Sequence, residues 1–375
     1  MSGLSVRKYD YIDALRGLAI ALVVLVHASQ QVKPLSQWLQ QFMDEGARGV
    51  QLFYIASAVT LCMSWAARRA TDLHPVRDFY LRRVFRIAPM FYLAIILFLL
   101  LNGTHASYFA PNGISWWFVP MTALFLHGLH PETINSVVPG GWSVAVEMTF
   151  YLVFPLLMRV RHMGWLLLLL VASLWLQQYN ATLSALVFQY EERQKYLIDG
   201  FTFFNFIGQF PVFVLGLITY RLLPACAAFG WKGWTLMGGL FLLLLVEFCY
   251  PRQAFVEHHV VAGALFALFT LLLSAYPGRW LVNRVTVWLG KLSFSMYLVH
   301  IAVLKVLSLW GVGAWFGDGN LKSLCFFVLV LALTAGLSWL TYQRVEKPGI
   351  ALGRRLIERL ESTARPAPQG QESTR

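Results

Sequence analysis

The chain has 375 residues, of which 58% are hydrophobic, 15% aromatic and only 13% charged, whereas a soluble domain carries about 25% charged residues; this excludes an ordinary water-soluble protein and implies an integral-membrane one. A formal net charge of +12 would suggest nucleic acid in a soluble protein, but in a membrane protein it reflects Lys and Arg gathered in cytoplasmic loops, so no nucleic-acid partner is expected. The four cysteines, Cys62, Cys226, Cys249 and Cys325, are widely spaced without a C-x-x-C pair or metal-ligand spacing, which points away from disulfides and from a metal site.

Crossing the hydrocarbon core takes about 20 mostly apolar residues. In chain order, the qualifying segments are 11–30, 47–66, 79–101, 142–158, 163–179, 200–220, 233–250, 258–276, 285–308 and 322–342. The predicted fold class is therefore an all-α polytopic membrane protein with about ten transmembrane helices. The first segment lacks a small-residue cleavage site and is as long as a span, so it reads as a retained signal anchor. Segment 114–130, "ISWWFVPMTALFLHGLH", is short, contains Pro120 and ends in two histidines; it is a possible re-entrant piece of an outer loop over 102–141. If it does not cross, Arg7, Lys8, the arginines between 68 and 86, Arg159, Arg161, Arg221 and the C-terminal tail share one side, leaving Lys33, Arg48, Arg193, Lys195, Arg252, Lys305 and Lys322 on the other. That distribution satisfies the positive-inside rule with both termini cytoplasmic. A single membrane domain over 1–350 is expected, followed by a disordered cytoplasmic tail over 351–375. The closing stretch "ESTARPAPQGQESTR" has no apolar periodicity and reads as disordered.

Four constellations carry candidate chemistry. In the first span, "ALRGLAIALVVLVHASQ" puts Arg16 near one face and His27 ~16 Å further along the helix axis. An ionisable residue at that depth is a functional candidate by default, although a lone histidine also serves as an interhelical hydrogen-bonding group. In "DFYLRRVFRIAP", Arg83 and Arg86 are three apart and share a helix face, making a fork suited to phosphate. Membrane anchoring accounts for arginines at a span's edge, but Arg86 lies about two turns inside. In "PGGWSVAVEMTFYLVFP", Trp142 opens a helix at the interface and Ser143 and Glu147 are four apart; a buried carboxylate there needs a partner, which one of the arginines could be. In "KLSFSMYLVHIAVLK", Ser293, Tyr297 and His300 form one polar stripe, fit for substrate contact or for interhelical contact.

These pieces together resemble the membrane-bound acyltransferase-3 family of bacterial glycan O-acyltransferases. The resemblance rests on "DALRGLAIALVVLVH", "FYLRRVFRIAP", "GWSVAVEMTFYLVFP", "LGKLSFSMYLVH" and the closing "VEKP" at 345–348, in order along the chain. It implies a ten-helix enzyme of the bacterial inner membrane that uses cytoplasmic acyl-CoA, most often acetyl-CoA, and a hydroxyl of a cell-surface glycan or lipid-linked sugar, with polysaccharide-biosynthesis proteins as possible partners. It makes His27 the catalytic histidine, Arg16 its companion and Arg83 with Arg86 the CoA-binding pair, and it marks Glu147 as a further site position. The second span departs from the family, since "GVQLFYIASAV" has Gln51 and Ser57-Ala58 where relatives commonly carry an acidic residue and Ser-Gly. The additional methyl of Ala58 bears on close helix contact, and through it on the acyl group and acceptor accommodated.

The chemistry agrees with this reading. Phosphates of acyl-CoA are too polar to enter lipid unaided, and arginines at a cytoplasmic mouth would hold them. A neutral His27 can accept the proton of an attacking hydroxyl or carry the acyl group itself, and Glu147, at similar depth, could orient the imidazole or the hydroxyl. A transporter or flippase of a glycan-export pathway is the alternative, with the buried Arg, His and Glu forming a path; its sign, paired interrupted helices in two related halves, is absent from the sequence.

Overall fold

A computed structural model describes residues 9–226, 230–249 and 256–364. In chain order the helices are α1 (Asp10–Ser29), α2 (Gln37–Asp44), α3 (Gly49–Arg68), α4 (Pro75–Asn102), α5 (Phe118–Ala123), α6 (Trp142–Leu157), α7 (Met163–Gln178), α8 (Asn180–Val187), α9 (Tyr196–Phe204), α10 (Phe206–Cys226), α11 (Trp231–Cys249), α12 (His258–Ala275), α13 (Arg284–Leu309), α14 (Val312–Phe316), α15 (Asn320–Thr341) and α16 (Lys347–Ala364). Every described element is helical apart from an isolated bridge between Ser107 and Ala110, as expected where backbone polar groups must be satisfied within each segment.

Seven helical runs are long and apolar enough to cross a membrane: α1, α2–α3, α4, α9–α10, α12, α13 and α15–α16. An eighth is added if α7 and α8, bent by 52° at Tyr179, form one span, and shorter apolar helices occupy Trp142–Leu157 and Gly233–Val246. All the segments picked out by hydropathy are therefore helical. The segments over 142–158, 163–179 and 233–250 are the ones that fall short of an unbroken span by length. The stretch 114–130 holds only α5 and a 3₁₀ turn over His127–Leu129. The Nε2–H of His127 donates to the carbonyl of Gly141 at 3.0 Å, and its ring stacks on Phe91 at 5.5 Å, so this stretch is fastened to α6 and α4 rather than forming a span of its own.

The C-terminal expectation needs correction. Residues 351–364 are not disordered: α16 continues to Ala364 and turns Gly353 and Ile357 inward while Arg354, Arg355, Glu358 and Arg359 face outward. The sequence from Glu361 onward lacks periodicity, but the amphipathic pattern that builds this helix lies before it. The part of the expected tail beyond Ala364 lies outside the described residues.

Apolar side chains face lipid as readily as each other, so helix association depends on close packing of small residues. The crossing of α1 and α13 shows this. A Cβ placed on Gly17 would collide with the carbonyl of Thr286, and one on Gly290 with the carbonyl of Asp13. Asn283 starts α13 with a capping box: its side chain accepts from Val285 N and Thr286 N at 2.9 and 3.1 Å, and Thr286 Oγ1 accepts from Asn283 N at 3.2 Å. This intimate contact sets Arg16 and His27 on α1 against Ser293, Tyr297 and His300 on α13.

Ala58 finds its place by the same logic. On α10, a Cβ added to Gly216 would lie 2.6 Å from Ala58 Cβ, so the methyl is accommodated by a glycine on the facing helix. Gln51 is likewise structural, since its Nε2 donates to Gln209 Oε1 of α10 at 2.9 Å in a fully buried pair.

Candidate active site

Helices α1, α3, α4, α6 and α13 enclose a cavity of about 70 Å³ lined by Arg16, Ser57, Arg83, Arg86, Ser143, Glu147, Tyr151, Ser293 and Tyr297, with apolar wall from Val50, Phe53, Tyr54, Ile87, Val144 and Phe294. Such a volume holds several waters. Residues from widely separated parts of the sequence, including eight of the expected site residues (Arg16, Arg83, Arg86, Ser143, Glu147, Ser293, Tyr297 and, one ring behind the wall, His300), meet here.

Three guanidiniums face this cavity. Arg83 is 8% exposed, and its Cζ lies 5.6 Å from the ring centre of Phe79 and 5.8 Å from that of Tyr151. Its Nε is buried without a hydrogen-bond partner. Among the described residues, Arg16, Arg83 and Arg86 form no ion pair, whereas neighbouring arginines do: Arg82 pairs with Asp72 and Arg77 with Asp78. One buried and two half-buried cations without a direct salt bridge, with Asp13, Glu147 and Glu346 within electrostatic reach, form a ready receptor for an anion.

The carboxylate in the cavity is already engaged. Glu147 Oε1 accepts from Ser57 Oγ and from Tyr151 OH, both at 2.5 Å. The spacing from Glu147 to Tyr151 is one helical turn on α6, a signal present in the sequence; Ser57 comes from α3 and is brought in only by packing. Beyond this pair, Glu346 is 1% exposed in the π turn Tyr342–Glu346 that joins α15 to α16. It accepts from Ser295 Oγ at 2.8 Å and lies within electrostatic reach of Arg86 and Arg16. In the sequence its motif, "VEKP", serves only as a family mark, and no local spacing singles out Glu346 as a site residue.

At the far wall, Ser143 Oγ donates to Tyr297 OH at 2.8 Å, and Tyr297 OH donates to the carbonyl of Gly140 at 2.9 Å. The Tyr297 ring is 5.7 Å from that of His300, which is 5.0 Å from that of His27. His27 itself does not line the cavity; Tyr297 and His300 form the ring path between them. The hydrogen bonds of Glu147 go to Ser57 and Tyr151 and not to His27. His27 Nδ1 lies 2.7 Å from the carbonyl of Val23, and because a carbonyl only accepts, that nitrogen carries the proton and Nε2 presents the lone pair. Trp142 also stands apart from the cavity, packed 4.6 Å from Phe204 and 6.4 Å from Tyr54 by ring centres. Among the described residues no group of three or more metal-ligating side chains occurs.

Comparison with known proteins accords with this geometry. The acyltransferase-3 family model, described as an acyltransferase domain, matches residues 9–343. A Staphylococcus aureus (strain COL) protein provisionally named an O-acetyltransferase is 21% identical over 399 residues, covering 91% of this chain and 58% of its own length. The O-acetyltransferase OatA of Staphylococcus aureus (strain NCTC 8325 / PS 47) is 22% identical over 378 residues, covering 92% and 57%. The chain thus spans under three-fifths of the length of these relatives. No solved structure matches it. The match over most of its length, with the arginines, Glu147 and His27 all inside the matched region, establishes that the chain belongs to the acyltransferase-3 family of membrane acyltransferases.

Proposed function

We propose that this protein is an O-acetyltransferase of the bacterial inner membrane that moves an acetyl group from cytoplasmic acetyl-CoA to a hydroxyl of a cell-surface or lipid-linked glycan. The observation that carries the reading is the convergence of Arg16, Arg83 and Arg86, without ion pairs, on one cavity whose far wall leads through Tyr297 to His27. The guanidiniums hold phosphate or the polarised thioester end of the donor by charge-assisted hydrogen bonds. Both termini lie in the cytoplasm, on the side from which the donor enters.

In this reading the cavity extends towards His27 when the Tyr297 ring leaves its bridge between Ser143 and Gly140. The acceptor hydroxyl gives its proton to His27 Nε2, its oxygen bonds to the acyl carbon, and the C–S bond breaks with CoA leaving as thiolate. The same lone pair can instead take the acyl group first and pass it on. Ser57 and Tyr151 hold the Glu147 side chain in place, where it orients the polar end of the donor. Ser143, Ser293 and Tyr297 supply hydroxyl contacts to the acyl portion.

The test is turnover by purified protein in nanodiscs, given radiolabelled acetyl-CoA and an oligosaccharide acceptor, reading free CoA and ester product together. His27→Ala is expected to abolish both while leaving acetyl-CoA binding intact. Full ester formation by His27→Ala, or movement of a sugar across the bilayer without CoA release, overturns the proposal, the second in favour of a transporter.

A further inference from the structure

His300 is 1% exposed at the centre of α13. Its Nδ1 lies 2.6 Å from the carbonyl of Tyr297 and 3.3 Å from that of Met296, so in the neutral ring Nδ1 carries the hydrogen and Nε2 the lone pair. That Nε2 is buried and has no hydrogen-bond partner, a condition that lowers the stability of a folded protein. A leucine of similar bulk would avoid the cost.

His27 repeats the arrangement one ring away. Its Nδ1–H is fixed by the Val23 carbonyl, leaving a second Nε2 lone pair. The rings meet edge to face, with centres 5.0 Å apart and planes inclined by 65°. With both Nδ1 hydrogens committed to backbone carbonyls, neither the half-buried ring of His27 nor the sealed ring of His300 has an N–H left to donate to the other in the neutral pair. One added proton changes this, since a protonated His27 becomes a donor beside a waiting acceptor.

We propose that His300 is a positioning residue for acyl transfer: its Nε2 accepts a hydrogen bond from His27 once His27 has taken the acceptor's proton, so that the two imidazoles share it. The inference rests on the reading of His27 as general base. The proton leaves the acceptor hydroxyl as the O–C bond forms, resides between the two rings while the C–S bond breaks, and returns from His27 to the departing thiolate. Here an imidazole does what a carboxylate does for many catalytic histidines, and the backbone carbonyl of Val23 sets the tautomer.

The experiment measures kcat, KM for acetyl-CoA and thermal stability of His300→Leu, His300→Gln and His27→Ala in nanodiscs. For His300→Leu, kcat falls about 10- to 100-fold, the loss of one hydrogen bond to a charged group, while KM is unchanged and the melting temperature is not lowered. For His300→Gln, whose Oε1 accepts but is less basic, kcat lies between the two. Wild-type kcat in His300→Leu beside an inactive His27→Ala overturns this inference and leaves the proposed function standing; an active His27→Ala overturns the proposed function first. If the leucine variant does not fold, the glutamine variant decides: reduced kcat at unchanged KM supports the shared proton, and wild-type kcat refutes it.

Discussion

Replacing Arg83 by Met separates a binding arginine from a structural one. The side chain is almost fully buried, stacked between Phe79 and Tyr151, and without an ion pair. Methionine keeps the unbranched bulk against those rings while removing the charge. Two effects oppose each other in the unliganded protein. Loss of the cation–π contacts costs about 2 kcal/mol at most, whereas removing an unpaired buried charge relieves a desolvation penalty of several kcal/mol. Unliganded Arg83→Met is therefore expected to melt no lower than wild type. Ligand binding should change in the other direction. A charge-assisted hydrogen bond is worth about 1.5–3 kcal/mol, so Kd for acetyl-CoA rises about 10- to 100-fold. At a donor concentration of 100 times the wild-type Kd, wild type gains about 2.7 kcal/mol of stability, and the variant gains about 1.4 kcal/mol for a ten-fold loss or about 0.4 kcal/mol for a hundred-fold loss. The assay is thermal unfolding in nanodiscs with and without acetyl-CoA. A variant that melts well below wild type when empty, yet gains the full increment from donor, would make Arg83 a scaffold residue and refute the anion-receptor argument.

Other outcomes follow from particular contacts. Gly216→Ala should cost about 1–3 kcal/mol by overpacking, since the new methyl meets Ala58 Cβ at 2.6 Å; Ala58→Gly in the same chain should restore the melting temperature, and failure of the double variant to recover would discount the compensation. Tyr151→Phe removes one of two donors to Glu147 and is expected to raise the acetyl-CoA KM with a smaller change in melting temperature than Glu147→Leu; equal effects on both quantities would make the tyrosine merely structural. A reporter fused after residue 162, between α6 and α7, should score as cytoplasmic, and an extracytoplasmic signal there would invert the loops from that point on.

Hydropathy was enough to locate the membrane helices, because the hydrocarbon core demands long apolar runs whatever their neighbours. Local spacing likewise placed Arg83 beside Arg86, Ser143 above Glu147, and Ser293, Tyr297 and His300 along one side of α13, since residues three or four apart on a helix must share a face. What spacing could not supply was any contact between helices far apart in the chain. That Glu147 meets Ser57, that Gln51 binds Gln209 and that the Ala58 methyl nests against Gly216 follow from crossings of α1, α3, α6, α10 and α13 that depend on the shape of small residues such as Gly17 and Gly290. The pairing of His27 with His300 belongs to the same class. The sequence by itself determined which groups lie at membrane depth; only the tertiary structure decided which of them touch, because in lipid close packing rather than hydrophobicity selects the partners of each helix face.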